Sequence, residues 1–199
     1  MNSGIKKDDT EKLIRKTAKN IFFGEGKFNA TTQEIADAAG VNRTLINYYF
    51  RSRDNLFNLV FEEALVKEQE KSNAILQSDM SFREKLEHFI EDSMISAMQY
   101  PYLEIYIVTQ INQGSNYKKR DMDFEKVMVQ LETELEKEIK KGNITPISTI
   151  HFMLNLGSLI SFPICMRPLL KETIKISDPE FDEILKERKD VILKTIFNN

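Results

Sequence analysis

A single cysteine, Cys165, leaves these 199 residues without any possible internal disulfide. Seven glycines leave little material for loops that cradle phosphates or cofactors. No nucleophile elbow, His-Glu-x-x-His pair or clustered cysteine motif occurs, which argues against an enzyme. The two histidines, His88 and His151, lie far apart in the chain without metal-ligand spacing. No metal and no cofactor are therefore expected. A charge excess is also missing, since 28 Lys/Arg face 31 Asp/Glu. The longest apolar stretch, around residues 150–166, is interrupted by His151, Asn155, Gly157, Ser158, Ser161 and Pro163. It is too short and too polar for a membrane span. With one cysteine and no signal-peptide pattern, the expected compartment is the cytoplasm.

The small net charge hides a partition. Residues 1–54 carry 10 Lys/Arg against 7 Asp/Glu, while the remainder carries 18 against 24. A cationic head on an acidic body would approach a polyanion head first.

Within the head, residues 31–53, TTQEIADAAGVNRTLINYYFRSR, read as two short helices joined by a tight turn and followed by a third helix. Thr31 with Glu34 three positions later forms a capping-box pattern, although the register leaves Thr32 as an alternative cap. Ile35, Ala36 and Ala39 supply one apolar face, and Gly40 suits the left-handed position that ends a helix. Val41 can plug the interhelical angle, and Asn42 can cap the next helix. Leu45, Ile46 and Phe50 then face inward at helical spacing. Arg43, Thr44, Asn47 and Tyr48 are left outward, with the donors, acceptors and apolar surface that base edges and phosphates need. Arg51 and Arg53 flank Ser52 where the third helix starts. Cations there oppose the helix dipole, so a phosphate contact explains them better than helix stability does. An ordinary helical hairpin with a solvated face would account for any one of these features but not for all together.

These residues resemble the DNA-binding domain of the TetR (tetracycline-repressor-like) family of bacterial regulators. The resemblance rests on Ile35-Ala36, Ala39-Gly40-Val41, Tyr49-Phe50, the Lys-Ser-Lys-like Arg51-Ser52-Arg53, then Asp54 and Leu56, with Gly26 matching the glycine that ends the opening helix. It implies a three-helix DNA-binding head and a larger helical body that binds an effector and dimerises. The expected divisions are residues 1–54 for the head and 55–199 for the body. Thr44, Leu45 and Asn47 depart from the residues common in the family, so no relative's operator is carried over. The candidate DNA-contacting residues are Thr31, Thr32, Gln33, Asn42, Arg43, Thr44, Asn47, Tyr48, Tyr49, Ser52 and Arg53.

The body reads as all-α. Apolar residues recur at three and four from Phe82 to Met98, from Phe124 to Ile139, and from Phe181 to Ile196, with breaks at Pro101, Gly142 and Pro146. Residues 146–170 differ because Ile147, Ile150, Phe152, Met153, Leu154, Leu156, Leu159 and Ile160 are apolar nearly all the way round. A helix of this kind is buried on more than one side. A second subunit on one face is the economical explanation, and a buried core helix of a monomer is the alternative. Pro163 is expected to kink or end the helix, and Arg167-Pro168 to close the segment. Glu132, Glu134, Glu136 and Glu138 with Lys137, Lys140 and Lys141 read as a solvated face. Met94, Met98, Tyr106, Met128, Phe152 and Met153 are candidates for lining an apolar effector cavity, although such a stripe more often forms plain core. The expected protein is a homodimeric repressor, joined through residues 146–170 and 179–197. It would bind a palindromic double-stranded DNA operator and leave it on binding a small, apolar effector. A helical adaptor of the same fold that no longer reads DNA is the competing reading.

Overall fold

The computed structural model describes residues 4–113 and 124–198, and every regular element among them is helical. In chain order these are α1 (Gly4–Lys19), a π-helical turn (Asn20–Gly24), α2 (Thr32–Ala39), α3 (Arg43–Phe50), α4 (Arg53–Leu76), α5 (Phe82–Gln99), α6 (Leu103–Asn112), α7 (Phe124–Lys140), α8 (Thr149–Cys165), α9 (Arg167–Ile174) and α10 (Asp178–Ile196). The chain divides into two compact units: Met1–Lys71 with Tyr100–Leu103, and Ser72–Gln99 with Glu104–Asn199. The first unit runs past residue 54 because Leu56, Phe57, Val60 and Ala64 of α4 are buried in it. No single helix among the described residues is long and apolar enough to cross a membrane.

In the first unit, α1 buries Ile14 and Ala18, and the π-helical turn buries Ile21, Phe22 and Phe23 consecutively. Three successive buried side chains do not suit the narrow stripe of an α-helix; the wider turn lets all three reach the core. Phe22 meets Phe57 with ring centroids 4.6 Å apart, and Phe23 meets Phe57 at 5.6 Å and Phe61 at 6.0 Å. Each ring adds roughly 1.5–3 kcal/mol by burial. The turn is followed by Gly26 at φ 73°, where a Cβ would come within 2.9 Å of the Tyr102 ring. Tyr102 also donates its N–H to the Phe23 carbonyl at 3.0 Å, and the Lys19 ammonium lies 4.3 Å over the Tyr100 ring. The segment Tyr100–Leu103 thus belongs to the first unit through contacts that no local pattern announces.

The second unit is built on α5, α7, α8 and α10. Its core joins Phe82, Leu86, Ile90 and Met94 to Leu135, to Phe152, Leu156, Ile160 and Ile164, and to Phe181, Leu185 and Ile192. Helix α8 tolerates Pro163 and continues to Cys165; α8 and α9 then meet at a bend of 67°. Arg167-Pro168 therefore opens α9 rather than closing the apolar segment. A proline fits the first turn of a helix, where its missing N–H is not needed. Buried Arg167 holds α9 to α10 through Asp178 at 2.8 Å and Asp182 at 2.7 Å. Glu134 does not lie on a solvated face as expected. It pairs at 2.8 Å with buried Lys85 of α5, and it accepts from Gln130, which also donates to the Leu76 carbonyl at the end of α4. Glu136 and Glu138 keep the exposed partners Lys140 and Lys141. Burial, followed by the Glu104 charge, pushes the Cys165 thiol up to about 11, so it stays protonated at neutral pH.

Gly26→Ala and Gly40→Ala should separate two costs. Both glycines have positive φ, but a Cβ at Gly40 meets nothing within 4 Å. Gly40→Ala should lose only the left-handed penalty of about 1–2 kcal/mol in chemical denaturation. Gly26→Ala should lose measurably more, because it must also displace Tyr102.

Candidate nucleic-acid interface

The local chemistry of α2 and α3 sets their geometry. Thr31 caps α2: its hydroxyl accepts from the Glu34 N–H at 3.2 Å, and its own N–H donates to the Glu34 carboxylate at 2.7 Å. The choice between Thr31 and Thr32 thus falls to Thr31. At the other end, Gly40 at φ 64° donates its N–H to the Asp37 carbonyl, and Val41 donates to that of Ala36. That pair of bonds is a Schellman ending, which turns the chain sharply and leaves no buried carbonyl unpaired. Asn42 caps α3, its side-chain oxygen accepting from the Thr44 N–H at 2.9 Å and hydroxyl at 2.7 Å. Ile35 and Ala36 of α2 and Ile46 and Phe50 of α3 are buried together, and Leu45 is half-buried.

The opposite side of α3 carries Arg43, Thr44, Asn47 and Tyr48, all exposed. Arg43 Nε donates to the Thr32 hydroxyl at 3.0 Å, linking the start of α3 to that of α2. The Gln33 amide is held by Asp37 at 2.7 Å. Tyr48 and Tyr49 meet edge to face at 5.1 Å, with Tyr49 half-buried. Ser52 accepts from the Asn55 N–H at 3.1 Å and so caps α4. The candidate DNA-contacting residues therefore gather on one unit, at the starts of α2 and α4 and along the outer face of α3.

Arg53 and Arg51 are placed differently from one another. The Arg53 guanidinium lies against two touching rings, 5.2 Å from Phe22 and 5.0 Å from Phe57, while its Nε donates to the Ala30 carbonyl at 3.2 Å. Arg51 is exposed and has φ 69°, one of two non-glycine residues with positive φ among those described. The inward turn of Arg53 depends on aromatic residues 31 positions earlier and 4 later in the chain, so no local pattern shows it.

The candidate effector residues lie in the second unit. Met94 and Phe152 are in its buried core, Met98 packs against that core, and Tyr106, Met128 and Met153 are half-buried. A separate open apolar groove of about 340 Å³ is lined by Leu159, Phe162, Leu170, Ile174, Phe181 and Ile184, with Arg188 at its edge. None of the six effector candidates lines it. His88 and His151 are exposed, and no group of potential metal ligands occurs among the described residues.

Residues 14–60 match the family described as bacterial regulatory proteins, tetR family, a span that contains every candidate DNA-contacting residue. Over nearly the whole length, the chain is 24% identical to the probable HTH-type transcriptional regulator YttP of Bacillus subtilis (strain 168), covering 96% of this chain and 95% of that protein. Its fold is similar to that of the ketosteroid transcriptional regulator KstR2 of Mycobacterium tuberculosis, with a TM-score of 0.66 at 12% identity, over 100% of this chain and 97% of that one. It is also similar to a linker variant of HlyIIR, with a TM-score of 0.60 at 21% identity, over 97% and 100%.

Thr31→Ala removes the hydroxyl half of the α2 cap, leaves the backbone N–H that donates to Glu34, and should cost about 1 kcal/mol in urea unfolding. Hydrogen bonds from the Thr31 backbone and hydroxyl hold the Glu34 carboxyl below its ordinary value, and Ser81 and Ser177 do the same for Glu84 and Glu180. These depressed carboxyls stabilise the fold fully above the ordinary carboxylate range. That contribution fades as pH falls through their lowered values. Melting scans should therefore show stability dropping on acidification, with a somewhat smaller drop in Thr31→Ala, because Glu34 loses the hydroxyl bond and keeps the larger effect of the backbone N–H.

Proposed function

We propose that this chain, whose residues 14–60 match the tetR family of bacterial regulatory proteins, acts as a homodimeric repressor of a palindromic operator, released by a small apolar effector. Thr31, Thr32, Gln33, Asn42, Thr44, Tyr49 and Ser52 position the head on the phosphate backbone, and Arg43, Asn47 and Tyr48 of α3 face the bases in the major groove. One α3 reads few base pairs. Two heads related by a two-fold axis read a palindrome from one side of the duplex.

The observation that carries the dimer is an apolar face left open on α8 and α10. Ile150, Leu154 and Phe162 are 49%, 53% and 57% exposed although they lie on the same helix as buried Phe152, Leu156 and Ile160. Ile184 and Val191 of α10 are exposed beside buried Phe181, Leu185 and Ile192. Patches of this kind mark protein–protein contact. The second copy covers this face and the groove lined by Phe162 and Ile184.

The effector is received in the second unit near Met94, Met98, Tyr106, Met128, Phe152 and Met153, whose flexible thioethers adapt to an apolar ligand. It acts by preferring an arrangement in which the two heads no longer fit one operator, so the operator-bound population falls. The protein works in the cytoplasm, and no enzymatic step is part of this mechanism.

The test is a mobility shift with the purified protein and its own upstream region, at moderate salt with competitor DNA. A specific shift at two chains per site is expected. Arg43→Ala and Asn47→Ala should change which base pairs are preferred. Leu154→Glu should sediment as a folded monomer and lose the specific shift. A Leu154→Glu dimer, or a parent dimer that binds all duplexes alike, would contradict the reading.

A further inference from the structure

The two arginines at the start of α4 do different work. All three guanidinium nitrogens of Arg53 are committed or shielded. Nε donates to the Ala30 carbonyl, Nη1 lies 2.9 Å from the Asp54 carboxylate, and Nη2 is buried away from solvent without a hydrogen-bond partner. The planar group also sits against Phe22 and Phe57, which links the π-helical turn to α4. Its side chain is only 27% exposed, and Asp54 offsets its charge. Ala30 is the residue before the Thr31 cap, so the bond to its carbonyl ties the start of α2 to the start of α4. A planar cation with several donors can serve two rings, a carbonyl and a carboxylate at once, and a lysine cannot.

Arg51 shows the complementary features. It is exposed, and it makes no ion pair among the described residues. It also holds φ 69° with ψ −43°, while its N–H donates to the Asn47 carbonyl at the end of α3. This is the strained γ-turn conformation, closed by the Ser52 N–H on the Phe50 carbonyl, and glycine would occupy it more easily. A strained position that keeps a long cation is the kind of local conflict that collects where function requires the side chain.

We propose that Arg51 makes the cationic phosphate contact beside α4, and that Arg53 is a positioning residue that fixes α2 against α4 without touching DNA. This assignment rests on the DNA-binding reading above and reverses the role that the position of Arg53 in the motif suggests.

The experiment compares Arg51→Gly, Arg53→Met and Arg53→Lys in the full-length protein. It measures melting temperature and operator affinity against salt, at temperatures where each variant is folded. Each phosphate contact adds about 0.9 to the slope of log affinity against log salt, so losing one per head of a dimer removes about 2. Arg51→Gly should lose that slope while its melting temperature holds or rises, because glycine relieves the positive φ. Arg53→Met and Arg53→Lys should both keep the parent slope, melt lower, and show a smaller ratio of operator to non-specific affinity. The assignment is overturned if Arg53→Met loses slope that Arg53→Lys retains, or if Arg51→Gly binds with the parent slope. If the parent shows no DNA binding, the functional reading fails. The structural half is then still decided by melting, since a lower temperature for Arg51→Gly or an unchanged one for Arg53→Met overturns it.

Discussion

The angle between α2 and α3 is the constraint on which the head depends, and backbone hydrogen bonds at one glycine hold it. Gly40 takes the left-handed conformation, so its N–H and that of Val41 can reach back to Asp37 and Ala36. The caps on either side, Thr31 for α2 and Asn42 for α3, satisfy the helix starts that the turn leaves open. With the backbone satisfied, packing of Ile35 and Ala36 against Ile46 and Phe50 needs only apolar side chains of suitable size. The outer face of α3 is then left outside the core, with Arg43 and Thr44 bonded back to Thr32 and Asn42, and its residues can be chosen for what they recognise.

Arg53 extends that logic to the rest of the head. Its guanidinium covers the Phe22 and Phe57 rings, which already touch each other at 4.6 Å. Cation–π contacts of this kind are worth roughly 0.5–2 kcal/mol, depending on how far the cation is desolvated. In the second unit, Arg167 with Asp178 and Asp182, and Lys85 with Glu134, hold pairs of helices in the same manner. Such partly buried pairs add little net stability but penalise any packing that separates them. They specify which helices lie together more than how strongly they hold.

Legibility from sequence followed the range of the interaction. Thr31, Glu34, Gly40 and Asn42 could be read because capping and turn chemistry act within three or four residues. Helices α5, α7, α8 and α10 were readable from apolar spacing, whereas α9 was not, because Arg167-Pro168 reads as the close of a segment and instead opens a helix. The expectation that residues 146–170 exceed what one core can bury agrees with exposed Ile150, Leu154 and Phe162. What stayed hidden was set by distant partners. Glu134 looks like its neighbours Glu132 and Glu136 until Lys85, 49 residues away, selects it. Tyr100–Leu103 reads as a break between helices, but it is Phe23 and Gly26 that draw it into the first unit. The inward turn of Arg53 and the strained backbone of Arg51 are likewise outcomes of tertiary packing, so the pair looked equivalent in the motif.

The central claim is that two copies of this head read a two-fold-symmetric duplex with α3 in the major groove. Selecting bound duplexes from a random pool and mapping the winners by hydroxyl-radical footprinting tests it most directly. The account predicts an inverted repeat with two protected patches on one face of the helix, centred one helical turn or a multiple of it apart. A single unsymmetrical patch, or a pool that gains no shared sequence, would contradict it.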